Sequence, residues 1–136
     1  MTTAGEIMTH DPRCIGVNDS LRIAASLMAD LDIGVLPICG EDSKLKGMLT
    51  DRDIVVGAVA AGMDLETTPA SRLAQGKPVT VKADEEISVA LDRMQKHNVR
   101  RLPVMAKRML VGIISQGDIV RALALQAARP VPSISL

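Results

Sequence analysis

The feature that most constrains the fold of this chain is an internal repeat. Residues 47–55 read GMLTDRDIV and residues 112–120 read GIISQGDIV, so Gly, two aliphatics, a hydroxyl residue, Asp, Ile and Val recur in the same order. Similarity of this kind is the signature of one structural unit used twice. The chain has 136 residues, a length typical of one domain, so we expect two copies of a small unit that share one body.

The similarity extends well beyond this stretch. Residues 18–38 align with 84–104, and residues 7–17 align with 73–83. A stretch rich in Gly, Thr and Pro separates the copies, as is typical of a connector. The predicted organisation is a first repeat at 1–61, a linker at 62–69, a second repeat at 70–125 and a mobile C-terminal tail at 126–136.

Apolar spacing predicts the order β-α-β-β-α in each copy. Apolar residues recur at helical spacing within residues 21–31 and 87–94, which predicts a helix in each copy. Short apolar runs around Leu-Pro and Gly-aliphatic-aliphatic predict strands. Asn18 and Asp84 stand where helix N-caps are expected. Neither copy could bury its sheet alone. The predicted fold class is therefore mixed α/β (α+β), with two repeats packed face to face about a pseudo-twofold axis and two equivalent clefts between them.

Composition narrows the classes of partner. Lys plus Arg equals Asp plus Glu at 16 each, so charge gives no reason to expect nucleic acid or an anionic membrane. Phe, Trp and Tyr are absent, so a bound base would lie between aliphatic side chains. No signal peptide or membrane-length apolar run is evident, which favours the cytoplasm and reduced cysteines. No nucleophile–base pair is evident either, so an enzyme is not expected.

The order of these motifs resembles the tandem CBS-domain pair, or Bateman module, over residues 4 to 125. The resemblance rests on an Asp-Pro before the first strand, an amphipathic helix, a Leu-Pro strand and the "GMLTDRD" and "GIISQGD" stretches. The first copy, "DIGVLPICGEDSKLKGMLTDRDIVV", is similar to small stand-alone actinobacterial CBS pairs of the hypoxic response type. The resemblance implies a regulatory module that binds an adenosine-containing nucleotide such as AMP, ADP or ATP and often dimerises. No cofactor is expected to be required.

Two hydroxyl–carboxylate pairs are the sharpest candidate ligand positions: Thr50 with Asp53, and Ser115 with Asp118. A carboxylate at a helix start can accept hydrogen bonds from both ribose hydroxyls, and the family resemblance implies the same role. The alternative is that each pair forms only a capping box for the helix that follows. Both interpretations remain open from the sequence, and a capping box does not preclude ligand contact.

The two copies differ in the residues before Leu-Pro. The first copy has Gly34-Val35 where the second has Arg100-Arg101. Across a shared cleft, these guanidinium groups could bind a phosphate through paired donors. We therefore predict that one stronger nucleotide site combines them with Thr50 and Asp53. The resemblance adds Met48 and Val79 as walls of the base pocket, and Ser115 with Asp118 would form a weaker second cleft. The alternative for the arginines is a solvated pair or a salt bridge.

The cysteines and histidines are weaker signals. Cys14 and Cys39 are either two small buried thiols or a reversible disulfide that locks the first copy. His10 and His97 have no close ligand spacing to them, so no metal is expected.

The predicted function is therefore a sensor in which a bound adenine nucleotide shifts the two repeats and an unknown protein target reads the change. The alternative is a dimeric interaction or stress-response protein that binds no nucleotide and is controlled through its cysteines. A homodimer is expected in either case, because the helices beginning "DIVVGAVAA" and "DIVRALALQAA" carry more apolar residues than one buried stripe needs.

Overall fold

The fold was obtained as a computed structural model, which describes residues 1–74 and 76–128. It is a mixed α/β fold with two sheets, which confirms the predicted class. Of the tail predicted at 126–136, residues 126–127 belong to the last helix and 129–136 lie outside the described residues. The domain bounds stay a prediction.

Each repeat has the predicted order β-α-β-β-α, and a short segment precedes each one. The chain begins with α1 (Ala4–Ile7) and β1 (Thr9–His10). The first repeat follows with β2 (Ile15–Gly16), α2 (Leu21–Leu31), β3 (Val35–Cys39), β4 (Leu45–Thr50) and a π-helix (Asp53–Val59). A 3-10 helix (Ala70–Arg72) then leads to β5 (Val81–Lys82), α3 (Ile87–His97), β6 (Arg101–Ala106), β7 (Met109–Ser115) and α4 (Gln116–Ala127).

The first long helix of each repeat begins later than the sequence indicated. Ser20 is the N-cap of α2, and its hydroxyl accepts the Ile23 N–H at 3.1 Å. Glu86 holds the same place before α3. The prediction of Asn18 and Asp84 as N-caps was wrong, because the residues just before each helix form a turn instead. In the first repeat, the Asp19 carboxylate closes this turn by accepting the Gly16 N–H at 2.9 Å.

The two sheets have related but unequal topologies. In the first repeat the strand order is β2-β3-β4, with β2 parallel and β4 antiparallel to β3. The second sheet repeats this arrangement with β5, β6 and β7, and β1 adds a fourth strand antiparallel to β7. The N-terminal segment of the chain therefore completes the sheet of the second repeat.

The short segment that precedes each repeat in sequence packs against the other repeat. Ala4 is fully buried in the core of the second repeat, and its N–H donates to the Glu85 carbonyl at 2.8 Å. Ala70, which precedes the second repeat, is fully buried in the core of the first. Strand β1 packs closely against β7 at Gly112. A Cβ at this position would lie 2.7 Å from the Thr9 carbonyl oxygen, so a larger residue would collide with the N-terminal segment. Neither core is complete without chain from the other half.

Each core is aliphatic and lies between one sheet and its helices. The two cores use equivalent residues: Leu21, Ala24, Met28 and Leu36 in the first repeat match Ile87, Ala90, Met94 and Leu102 in the second. Among the described residues no buried polar or charged side chain occurs. The repeated residues in the sequence are thus mainly the residues of the two cores. The polar residues at the strand ends are outside these cores and are the candidates for ligand-binding positions.

Candidate functional site

Both hydroxyl–carboxylate pairs form reciprocal helix caps. The Thr50 hydroxyl accepts the Asp53 N–H at 3.0 Å, and Asp53 Oδ2 accepts the Thr50 N–H at 2.9 Å. Ser115 and Asp118 make the same two bonds at the same distances. The capping-box interpretation therefore describes both pairs correctly. Each box uses only one oxygen of its carboxylate, which leaves the other oxygen for a further partner.

The second carboxylate oxygen distinguishes the two pairs. Asp118 Oδ1 accepts a hydrogen bond from the Arg121 guanidinium, which follows it at i+3 in α4. Within residues 1–74 and 76–128, no side chain donates to Asp53 Oδ1. The position equivalent to Arg121 is Val56, which cannot donate. Asp53 is thus the better placed of the two carboxylates to accept hydrogen bonds from a ligand.

A cavity of about 370 Å³ lies beside Asp53. Its volume lies within the usual range of small-molecule pockets. Met48, which the sequence analysis assigned to the base pocket, is among its walls. The lining residues are Met48, Arg52, Asp53, Val56, Gly57 and Leu73.

Arg52 is a cation of this cavity that the sequence analysis missed. It is exposed and stands between the two capping residues in the "TDRD" stretch. Its position next to Asp53 was visible in the sequence, but helix geometry alone could not say whether its side chain would reach the cavity. An arginine here could bind a phosphate without a contribution from the second repeat.

Arg100 and Arg101 lie beside the other pair in the sheet of their own repeat. Arg101 is the strand partner of Ser115, and the Arg100 carbonyl accepts the Gln116 N–H at 2.8 Å. Both side chains are exposed, and no ion pair in the described part of the chain involves either one. That they complete the Asp53 cleft from the opposite repeat stays a prediction. Val79 packs against the core of the second repeat and is not among the residues that line the Asp53 cavity.

The residues around Gly34 also differ from those around Arg100, its equivalent in the second repeat. A Cβ at Gly34 would lie 3.0 Å from an oxygen of the Asp51 carboxylate. The equivalent positions in the second repeat are Arg100 and Gln116, whose backbones are also hydrogen-bonded to each other. A side chain at position 34 would therefore require the Asp51 carboxylate to move, whereas the second repeat has Arg100 opposite Gln116.

The two cysteines form a disulfide. Cys14 and Cys39 are joined with their Cα atoms 5.8 Å apart, which is within the usual range. Cys14 is exposed and Cys39 half-buried, so the interpretation as two small buried thiols is wrong. The bond connects the residue before β2 to the end of β3, across two strands that are already neighbours.

His10 and His97 are exposed and lie on β1 and at the end of α3. Among residues 1–74 and 76–128, no group of three or more His, Cys, Asp or Glu could hold a metal ion. The described helices are also too short or too polar to cross a membrane.

The family of the chain follows from this fold and from comparison with known proteins. The model of the CBS domain matches residues 4–58 and 70–125, which are the two repeats. The protein therefore belongs to the CBS-domain family and carries two CBS domains in tandem, as regulatory CBS pairs do.

Individual relatives refine this assignment. The chain is 47% identical to hypoxic response protein 1 of Mycobacterium tuberculosis, over 90% of this chain and 86% of that protein. A crystal structure of hypoxic response protein I with two coordinated zinc ions is also 47% identical, and it matches with a TM-score of 0.83 over 90% of this chain and 99% of the other.

Two more distant structures carry bound nucleosides or nucleotides. A CBS-domain protein of Pyrobaculum aerophilum in complex with AMP is 28% identical, with a TM-score of 0.81 over 94% of this chain and 99% of the other. The CBS-domain pair of protein MJ0100, in complex with 5'-methylthioadenosine and S-adenosyl-L-methionine, is also 28% identical, with a TM-score of 0.82 over 93% of this chain and 98% of the other.

Proposed function

We propose that this CBS pair is a non-catalytic sensor that binds a nucleotide of the AMP, ADP or ATP class in the cavity beside Asp53. The observation that carries the proposal is the Asp53 carboxylate, which lines the cavity and uses only Oδ2 in its capping box. A carboxylate oxygen left over in this way is a strong acceptor for ribose hydroxyls. The AMP complex of a structural relative supports the choice of ligand class.

The remaining parts of the nucleotide have candidate partners. Met48, Val56 and Leu73 supply aliphatic surface for the base, in a chain without aromatic residues. Arg52 is a phosphate donor within the cavity. The exposed Arg100 and Arg101 are a second candidate from the opposite repeat. Arg52 lines the cavity, whereas Arg101 is the strand partner of Ser115 in the sheet of its own repeat, so the two sets of cations are tested separately below.

A thermal-shift panel tests the proposal. With AMP, ADP, ATP, NADH and S-adenosylmethionine, a ligand at a hundredfold excess over its Kd should stabilise the fold by about 2.7 kcal/mol. Asp53→Ala is expected to abolish the shift. Asp118→Ala is the matched control, because it removes the same kind of cap from the other repeat and should keep most of the shift. An equal loss in both variants would contradict the assignment.

The same panel identifies the phosphate donor. If Arg52 binds the phosphate, Arg52→Ala loses affinity for AMP and Arg101→Ala retains it. If the predicted pair binds it across the cleft, the result is reversed. Each charged hydrogen bond lost should weaken binding by roughly tenfold.

A second function is favoured by the disulfide and by the exposed helices. If no ligand gives a shift, we propose instead a cytoplasmic stress-response interaction protein whose partner surface is set by the Cys14–Cys39 bond. Disulfides in the cytosol are usually transient and redox-sensing. A partly exposed bond such as this one is open to reductants.

We further propose that the protein is a homodimer through its second helices. Apolar side chains that are roughly half exposed or more recur on both: Val55, Val56 and Val59 on the π-helix, and Val120, Leu123 and Leu125 on α4. Two such surfaces on one small protein are typical of an interface. Val55→Glu combined with Val120→Glu is expected to convert a dimer to a monomer in sedimentation equilibrium. An unchanged mass would place the interface elsewhere.

A further inference from the structure

A second and larger cavity lies away from Asp53, where the turn between β6 and β7 approaches the start of β4. Its volume is about 810 Å³. One end of the second sheet supplies most of its wall, and the first repeat contributes only two residues. The lining residues are Lys44, Leu45, Lys77, Pro78, Thr80, Lys82, Ala83, Asp84, Met105, Ala106, Lys107 and Arg108.

The residues that line this cavity are strongly basic, although the chain as a whole has no net charge. It contains four lysines, one arginine and one aspartate, so its net charge is five minus one, or +4. The whole chain is balanced at 16 basic and 16 acidic residues. None of the five cations forms an ion pair with another residue of the described chain. No carboxylate of the described residues therefore occupies their donor groups as an ion-pair partner.

Two acids close in sequence to these cations, Glu85 and Asp42, already have other partners. Glu85 is held by Arg93 through two hydrogen bonds of 2.8 Å, and this contact keeps the pKa of Glu85 below its usual value. Asp42 accepts the Lys46 ammonium at 3.2 Å and the backbone N–H of Lys44 at 3.0 Å. Asp84 is the only acid of the lining, and although Lys44 and Lys82 also lower the pKa of Asp42 and Glu85 through their charge, neither forms an ion pair with them.

The internal repeat shows that most of this charge belongs to the second copy, which supplies four of the five cations, Lys44 being the exception. Lys77 corresponds to Asp11, and Lys82 corresponds to Gly16. The turn at 107–108 is basic, whereas the corresponding turn at 40–44 carries two acids. The shared fold therefore does not require the four cations of the second copy, since the first repeat has the same fold without their equivalents.

The turn that presents two of the cations is conformationally costly. Lys107 and Arg108 have φ values of 50° and 66°, so two consecutive non-glycine residues are in the left-handed region. Asn-Gly is the pair that such a two-residue hairpin favours. Strain of this kind is typical of sites where the side chain has a role. Two long basic residues are kept where smaller ones would suit the backbone better.

From these observations we propose that this cavity binds a small organic polyphosphate, that is, a molecule with an organic body and at least two phosphate groups. Five unpaired cations match the charge of a di- or triphosphate, and ammonium and guanidinium groups are its usual partners. Leu45, Pro78 and Met105 give the organic body an apolar surface. The site is separate from the Asp53 cavity, so its failure would leave the proposed function untouched.

The test uses inorganic triphosphate as the probe and isothermal titration of the full chain. Lys107→Asn combined with Arg108→Gly removes two cations and installs the turn that the backbone favours, so the variant should melt no lower than the wild type. Triphosphate binding is expected to weaken by roughly tenfold or more. The matched control is Arg13→Gln with Lys96→Gln, two exposed cations that line neither cavity. It should bind as the wild type does.

Three outcomes would overturn the proposal. The first is no triphosphate binding by the wild-type protein at millimolar concentration. The second is equal binding by the wild type and the turn variant, or equal losses in the turn variant and the control. The third is binding of a single-stranded oligonucleotide without binding of triphosphate, which would assign the basic surface to a macromolecule. Triphosphate that binds and weakens only in the turn variant supports the site. A nucleoside triphosphate that binds Asp53→Ala more tightly than triphosphate does supports the organic body, because the Asp53 cavity does not contribute in that variant.

Discussion

Replacing Leu36 or Leu102 by alanine is expected to lower the free energy of unfolding by about 3 kcal/mol, the usual cost of emptying a buried leucine site. The two leucines are equivalent in the repeat, and their side chains are 0% and 1% exposed. Each variant should also show one transition rather than two. Ala4 lies in the core of the second repeat and Ala70 in that of the first, so neither half can keep its core when the other unfolds.

Urea unfolding followed by far-ultraviolet circular dichroism measures this effect, since the chain has no Trp or Tyr to report by fluorescence. All variants are compared at one protein concentration. Ile23→Ala is the control, because this aliphatic side chain is 52% exposed and its loss should cost less than about 0.5 kcal/mol. Two separated transitions, with only one of them shifted by each leucine variant, would show that the repeats fold independently.

Cys14→Ser is expected to destabilise the protein by about 3 kcal/mol, because the disulfide closes a loop with a sequence separation of 25 residues. For a chain of this size that corresponds to a fall in Tm of roughly 10 °C. The cause is mainly the greater freedom of the unfolded chain. The native strands β2 and β3 remain paired through their backbones.

Thermal melts with and without dithiothreitol make the measurement. The wild-type protein should fall to the Tm of the variant when the reductant is added, and Cys14→Ser itself should not respond. If the oxidised wild type and the variant melt together, the bond adds no stability, and a redox lock on the first repeat has no physical basis.

Most secondary structure was readable from the sequence because it depends on local spacing. Apolar residues repeat at the helical period in α2 and α3, and their buried members are equivalent. The helix starts were less certain, since Asn18 and Ser20 are both good N-cap residues. Which of the two residues caps the helix depends on a contact with a segment far away in sequence. The Leu21 N–H donates to the Thr68 carbonyl, and the helix begins at Leu21.

The exchange of leading segments could not be predicted in this way. Helix α1 has four residues and β1 has two, too few for any periodicity to be visible. Their positions depend on pairing with β7, about a hundred residues later, and on the space that Gly112 leaves. Such contacts are properties of the assembled fold.

The two cavities also differ in how far they could be predicted from the sequence. Asp53 could be singled out as a candidate because Thr50 and Asp53 are close in sequence and repeat in phase. The contribution of Arg52 became visible only once the π-helix was in place. The basic cavity draws its cations from residue 44, residues 77–82 and residues 107–108, which only folding brings together.

The most direct test of the nucleotide site is a two-dimensional ¹H–¹⁵N spectrum of the protein titrated with AMP. We expect the largest shifts at the backbone amides of Met48, Asp53, Gly57 and Leu73, which line one cavity. Shifts centred on Ser115 and Asp118, or a spectrum unchanged by millimolar AMP, would contradict the account.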